Sequence, residues 1–157
     1  MDLNIDEDMD FYMARELQIE RYRNDRIEFP ENSYSYFLNG YDCEIKWCSS
    51  WNGYVKPSPE SRIPKEYTGT ETILKGEHLP EGVHGGFTDG YLGFDTAHTG
   101  DVLIMEHNGL MTHNLFLENN SHFWTHQEVL EHLDCITKQL REVDENPPPA
   151  LIKAAEF

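Results

Sequence analysis

The chain has 157 residues and a mass of 18.3 kDa, enough for one domain with extensions and tight for two. Twelve Lys and Arg stand against 29 Asp and Glu, a formal charge of −17 that excludes nonspecific binding to nucleic acid or an anionic membrane. It leaves room for a small anion in a local pocket, or for a basic partner protein. No apolar run of about 18 residues is present, so no membrane span is expected. The acidic start, MDLNIDEDMD, has no apolar region after it and is unlike a signal peptide. Cys43, Cys48 and Cys135 are odd in number and read as reduced thiols of a cytoplasmic protein. With no second cysteine pair, the wide Cys43–Cys48 spacing argues against a zinc knuckle.

The first ten residues hold five acids and no base, and read as a solvated leader or a helix start. Residues 9–26 are predicted helical: Met9, Met13 and Leu17 repeat every four positions, with Tyr12 and Ile19 nearby. The helix should stop before Phe29-Pro30, because a residue preceding proline avoids the helical region. From Tyr34 the pattern becomes β. Tyr34, Tyr36 and Leu38 alternate up to an Asn39-Gly40 turn, then Tyr41, Cys43, Ile45 and Trp47 alternate again. Ser49-Ser50 turns the chain into 51–56, completing a small antiparallel meander. Pro57, Pro59 and Pro64 impose irregular structure to about residue 68, and 69–82 reads as loop with one short strand at most.

Residues 82–101 carry six glycines. Gly86-Phe87-Thr88 and Tyr91-Leu92-Gly93-Phe94 are predicted strands joined by an Asp89-Gly90 turn. Val102 to Met105 forms an apolar piece, and 106–124 reads as loop with a weak apolar segment at Leu115–Leu117. The last helix is the clearest. Thr125 with Glu128 makes a capping box, and Val129, Leu133, Ile136, Leu140 and Val143 follow at 4-3-4-3 spacing. Asp144-Glu145-Asn146 and three prolines end it, and the tail 150–157 is left undecided between docked and free.

Chemistry concentrates in 84–101. Glycines there let backbone N–H groups approach a ligand, and two histidines and two carboxylates share the same short stretch: His84, Asp95, His98 and Asp101. Imidazoles can move protons near neutral pH, with a carboxylate fixing the tautomer. The bland alternative is that the glycines make turns and the aspartates bond their own backbone. His107, His113, His122, His126 and His132 are scattered, and His132 falls off the apolar stripe and reads as exposed. Trp47, Trp51 and Tyr54 read as core, with Trp51-Asn52-Gly53-Tyr54 able to place a ring at a cleft rim. Cys135 reads as semi-buried packing. P-loop, nucleophile-elbow and dinucleotide fingerprints are absent from the sequence.

The two-part pattern His84-Gly85-Gly86-Phe87-Thr88 and Gly93-Phe94-Asp95-Thr96-Ala97-His98-Thr99-Gly100-Asp101 resembles a family of small proteins found largely in bacteriophages and prophages. Trp51, Gly53, Tyr54 and Val55, and the closing amphipathic helix, are also similar; the likeness covers about residues 47–143. Thr96 stands where relatives have Cys, which disfavours a thiol nucleophile there. The resemblance implies a phage accessory protein acting in a host cytoplasm, and supplies no reaction.

The fold expected is α+β: a small, mainly antiparallel sheet against the C-terminal helix, with an additional N-terminal helix. Residues 1–30 form leader and helix, 31–146 one domain, and 147–157 a Pro-rich tail. The leading functional expectation is a pocket that binds, and in one version cleaves, a small phosphorylated or nucleotide-like ligand, interfering with a host nucleotide signal. Gly85, Gly86, Thr88, Trp51 and Tyr54 would bind it, and His84, His98, Asp95 and Asp101 would act as a hydrolase's acid-base groups. No cofactor is expected, with a divalent metal at His84, Asp95 and His98 left open. The alternative is a non-enzymatic acidic inhibitor that binds a basic host protein by mimicking nucleic-acid charge. Homo-oligomerisation is open in either case.

Overall fold

A computed structural model describes residues 5–56, 83–88, 91–97, 100–115 and 120–146. The elements are α1 (Ile5–Glu28), β1 (Ser33–Leu38), β2 (Tyr41–Trp47), β3 (Trp51–Lys56), β4 (Val83–Thr88), β5 (Tyr91–Phe94), β6 (Leu103–His107), β7 (Leu110–Leu115) and α2 (His126–Glu145). The fold is α+β, and its sheets are antiparallel. One sheet has the order β1-β2-β3-β5-β4, and β6-β7 is a separate hairpin.

The meander follows the sequence alternation. Tyr41, Cys43 and Ile45 are buried while Asp42 and Lys46 face outward. Asn39 and Gly40 both take positive φ, 51° and 93°, as a tight hairpin turn requires. On β3, Gly53 permits a close approach: a Cβ there would lie 2.5 Å from the Phe94 ring and 3.2 Å from a Leu133 methyl. A side chain at position 53 would therefore displace the Phe94 ring and press on Leu133 of α2.

The amphipathic stripe of α2 covers this face, with Val129, Leu133, Ile136 and Leu140 all buried. Its first turn is closed by the capping box: Glu128 N donates to Thr125 Oγ1 (3.2 Å), and Thr125 N donates to Glu128 Oε1 (3.1 Å). At the other end of the sheet contact, Asn39 Nδ2 donates to Thr137 Oγ1 (2.9 Å) and Asp134 Oδ1 (3.0 Å), tying the β1–β2 turn to the helix.

α1 is longer than the expected 9–26, and its apolar row does not face the core. Met9, Met13 and Leu17 are 53%, 62% and 55% exposed, whereas Ile19, Tyr22 and Asp25 are buried. Polar side chains dock this helix. Gln18 Oε1 accepts from Phe123 N (2.7 Å), Tyr22 donates to Glu106 (2.7 Å), and Arg26 donates to Glu106 (3.0 Å) and to the carbonyls of Phe29 and Glu31 (2.8 Å each). The Arg26 guanidinium also lies 4.6 Å from the Trp47 ring.

The segment 106–124 differs from its loop reading, because β7 pairs with β6. Its turn is Asn108-Gly109, with φ of 54° and 78°, the same chemistry as Asn39-Gly40. The expected Asp89-Gly90 turn, the short strand within 69–82, residues 1–4 of the leader and the tail from 147 onward lie outside the described residues.

Candidate functional site

Of the residues that the glycine-rich segment gathers in sequence, the structure describes the strand positions of His84, Gly85, Gly86 and Thr88, together with Asp95 and Asp101. On the β4 side, register aligns Tyr54 with Gly93 and Gly93 with His84, so the three share one cross-strand row. Just beyond His84 the ladder slips, and Gly85 and Gly86 have no counterpart on β5 before pairing resumes at Phe87 and Thr88. Such a bulge turns backbone groups out of the ladder. Tyr54 is half-buried and fills the space above Gly93, where a Cβ would come within 2.8 Å of its ring. The His84 side chain and all of His98 lie outside the described residues.

The carboxylates have local employment. Asp95 Oδ1 accepts from Ala97 N (3.2 Å), the turn bond anticipated for an aspartate in a glycine-rich loop. Asp101 Oδ1 accepts from the Trp124 indole (2.7 Å). Its backbone bridges to His122, flanked by Val102 N donating to His122 O (2.8 Å) and His122 N to Gly100 O (2.7 Å). Thr96 is buried, its hydroxyl donating to Trp51 O (2.8 Å) and its N–H to Asn52 Oδ1 (3.2 Å). Trp51 corrects the cleft-rim expectation. It is completely buried, with its indole N–H on Asp25 Oδ2 (2.7 Å), because the strand alternation that buries Val55 also turns Trp51 inward.

Two clusters formed by distant residues were not legible as sites. In the first, Glu128 pairs with Arg21 and accepts from His122 Nε2 (2.7 Å). Burial pushes the Glu128 carboxyl up, but hydrogen bonds from His122 and Thr125 and the neighbouring positive charges outweigh it and hold it below the usual range. The carboxylate fixes the Nε2–H tautomer of His122, whose ring stands edge-on to Trp124, 5.0 Å away. Because Glu128 also caps α2, this network binds α1, the 121–125 segment and α2 together. His132, expected to be exposed, is half-buried against Trp124 (5.0 Å) and Phe94 (6.2 Å), since the helix stripe is wider than its strict 4-3-4-3 positions.

In the second cluster, buried Asp25 accepts from the Trp51 indole and from His126 N (2.8 Å). Burial raises its carboxyl above the usual range, with both hydrogen bonds pulling the other way. His126 is 1% exposed, stacks on Phe29 at 3.8 Å, and shares a 2.8 Å hydrogen bond between Nε2 and the Tyr36 hydroxyl. Its Nδ1 has no partner, and burial pushes its pKa down to about 4. The ring is therefore neutral at physiological pH and is held as a piece of core. The only hint in the sequence was its place at the first turn of α2. Among the described residues no group of three His, Cys, Asp or Glu could hold a metal ion.

Among the described residues, exposed acids outnumber exposed bases. Arg21, Arg26, Lys46, Lys138 and Arg141 each pair with an acid of the same chain. Asp10, Glu20, Glu28, Glu31, Asp42, Glu131 and Glu142 remain exposed around the fold. None of its helices is long and apolar enough to cross a membrane among the described residues. No family model, curated protein or solved structure matches the chain.

Proposed function

We propose that the protein is a non-catalytic binding protein that occupies the basic surface of another protein. The observation that carries this reading is the net charge of −17, beside which five basic side chains, Arg21, Arg26, Lys46, Lys138 and Arg141, are already paired with acids of the same chain. An excess of acids costs a compact chain self-repulsion, and a basic partner relieves it while speeding encounter. The described carboxylates of the glycine-rich segment support it too, because Asp95 and Asp101 are engaged by Ala97 N and Trp124. The resemblance to phage accessory proteins makes the partner a host protein that ordinarily holds a polyanion.

The test is purification of the tagged protein from its producing cell at low salt, identification of what is retained, and reconstitution from purified components. A basic partner at fixed stoichiometry, with affinity falling about tenfold or more between 50 and 300 mM salt, is the expected result. A retained small anion whose binding ignores salt would overturn it.

One observation favours a second reading, in which the glycine loop holds a small phosphorylated ligand. The bulge at Gly85 and Gly86 sits beside the row of Tyr54, Gly93 and His84. Backbone N–H groups turned out of a ladder, near an aromatic and a histidine, are suited to an oxyanion. In that reading His84 and His98 supply charge or protons, and native mass spectrometry of the purified protein would detect the ligand.

A further inference from the structure

The large apolar side chains left exposed are not scattered evenly. Met9, Tyr12, Met13 and Leu17 lie within nine residues of α1 and are 53%, 56%, 62% and 55% exposed. Met9, Met13 and Leu17 are successive i, i+4 neighbours, so they form one stripe about 12 Å long on the side of α1 away from the core. Propensity alone does not call for this, since alanine, glutamate or lysine serves an exposed helix position equally well. Methionine is also the side chain that adapts most readily to varied apolar partners.

Acids edge the stripe. Asp10 and Glu20 are exposed, Glu16 is half-exposed, and Asp6, Glu7 and Asp8 precede them on the same helix. Arg15, on this stretch, reaches away to Asn114 Oδ1 (3.5 Å). A second copy of the chain would bring acid against acid, with −17 on each side.

We infer that the Met9–Leu17 face of α1 is a docking surface for a basic amphipathic helix of the partner protein. Its apolar side chains would pack between Met9, Met13 and Leu17, and its Lys or Arg residues would meet Asp10, Glu16 and Glu20. Helix-on-helix recognition uses anchors at this spacing, with flanking charges setting orientation. The inference rests on the acidic-binder reading above and names the surface that does the binding.

The probe is a synthetic helical peptide of about 14 residues made of Leu and Lys with the leucines on one face, compared with a Lys/Ser peptide of equal charge. Fluorescence anisotropy at about 150 mM salt should show the Leu/Lys peptide binding at least about tenfold tighter. The decisive variant is Met13→Glu with Leu17→Glu. It adds two negative charges, so attraction by charge alone predicts tighter binding, whereas docking predicts a loss of about tenfold or more. Both positions are exposed, so the melt should not move.

Equal or tighter binding by the variant overturns the docking surface and leaves the acidic-binder reading standing. Failure of both peptides to bind the wild-type chain overturns both. A dimer in sedimentation that the variant abolishes assigns the face to a second copy and overturns the heterologous partner.

Discussion

Acid should find a specific weakness at His126. The imidazole is buried and neutral, with its pKa lowered to about 4 by desolvation, whereas an unfolded chain protonates it near 6.5. For a histidine whose folded pKa is depressed, the unfolded state binds the extra proton first as pH falls. The stability tied to the neutral ring is therefore complete above about pH 6.5 and drains away as pH drops toward 4. A difference of about 2.5 pH units corresponds to about 3 kcal/mol, a large share of a marginal fold. Asp25 works in the opposite sense: its raised carboxyl pKa favours the folded state as it takes up a proton, and so offsets part of the loss. Relief of repulsion among the 29 acids also favours the fold on acidification, so the His126 effect must be isolated by comparison. His126→Phe keeps an aromatic ring against Phe29 and removes the titration, at the expense of the hydrogen bond to Tyr36. Urea unfolding at about pH 7 and about pH 4.5 gives four midpoints. The variant should be less stable at neutral pH, and its loss between the two pH values should be smaller than that of the wild type by about 2–3 kcal/mol. Parallel losses in the two proteins would refute the buried neutral ring.

Four further outcomes follow from the packing. Leu133→Ala should cost about 2–5 kcal/mol in denaturant unfolding, because the side chain is 1% exposed between α2 and β3. Glu106→Ala should cost about 3–5 kcal/mol and Glu106→Gln less, since it strips a nearly buried Arg26 of its partner, the two side chains being 11% and 10% exposed. A thiol reagent at about pH 8 should label exposed Cys48 at once and Cys43 only at the rate of unfolding, because burial pushes the Cys43 thiol up to about 12. Deleting residues 1–8 should leave the circular dichroism melt nearly unchanged, since the core residues of α1 begin at Ile19.

What the sequence discloses depends on whether the interaction is local. The α2 stripe, its capping box and the Asn39-Gly40 hairpin are written within a few residues of one another, and all appear in the fold. The β6–β7 hairpin carried the same Asn-Gly signal at 108–109, but its strands are weakly apolar: Glu106, His107, Thr112, His113 and Asn114 dilute the alternation. The buried face of α1 was hidden for another reason. Its strongest contacts are polar and reach across about 80 to 107 residues of chain, as from Arg26 to Glu106 and from Arg21 to Glu128. Apolar periodicity cannot register a helix docked by arginines and a glutamine, and so it selected the Met9–Met13–Leu17 row that faces outward.

That inversion links the fold to the proposed function. A helix that used its apolar row for the core would leave a polar, featureless exterior. Here Gln18, Arg21, Tyr22, Asp25 and Arg26 hold α1 in place, and the methionines and Leu17 are free to meet something else. The same contacts pair Arg21 and Arg26 with Glu128 and Glu106, which leaves the net charge of −17 as it stands. The exposed apolar stripe thus follows from the choice of docking face, and the excess of acid from the composition of the chain. A partner that relieves both must be apolar on one side and basic at its edges.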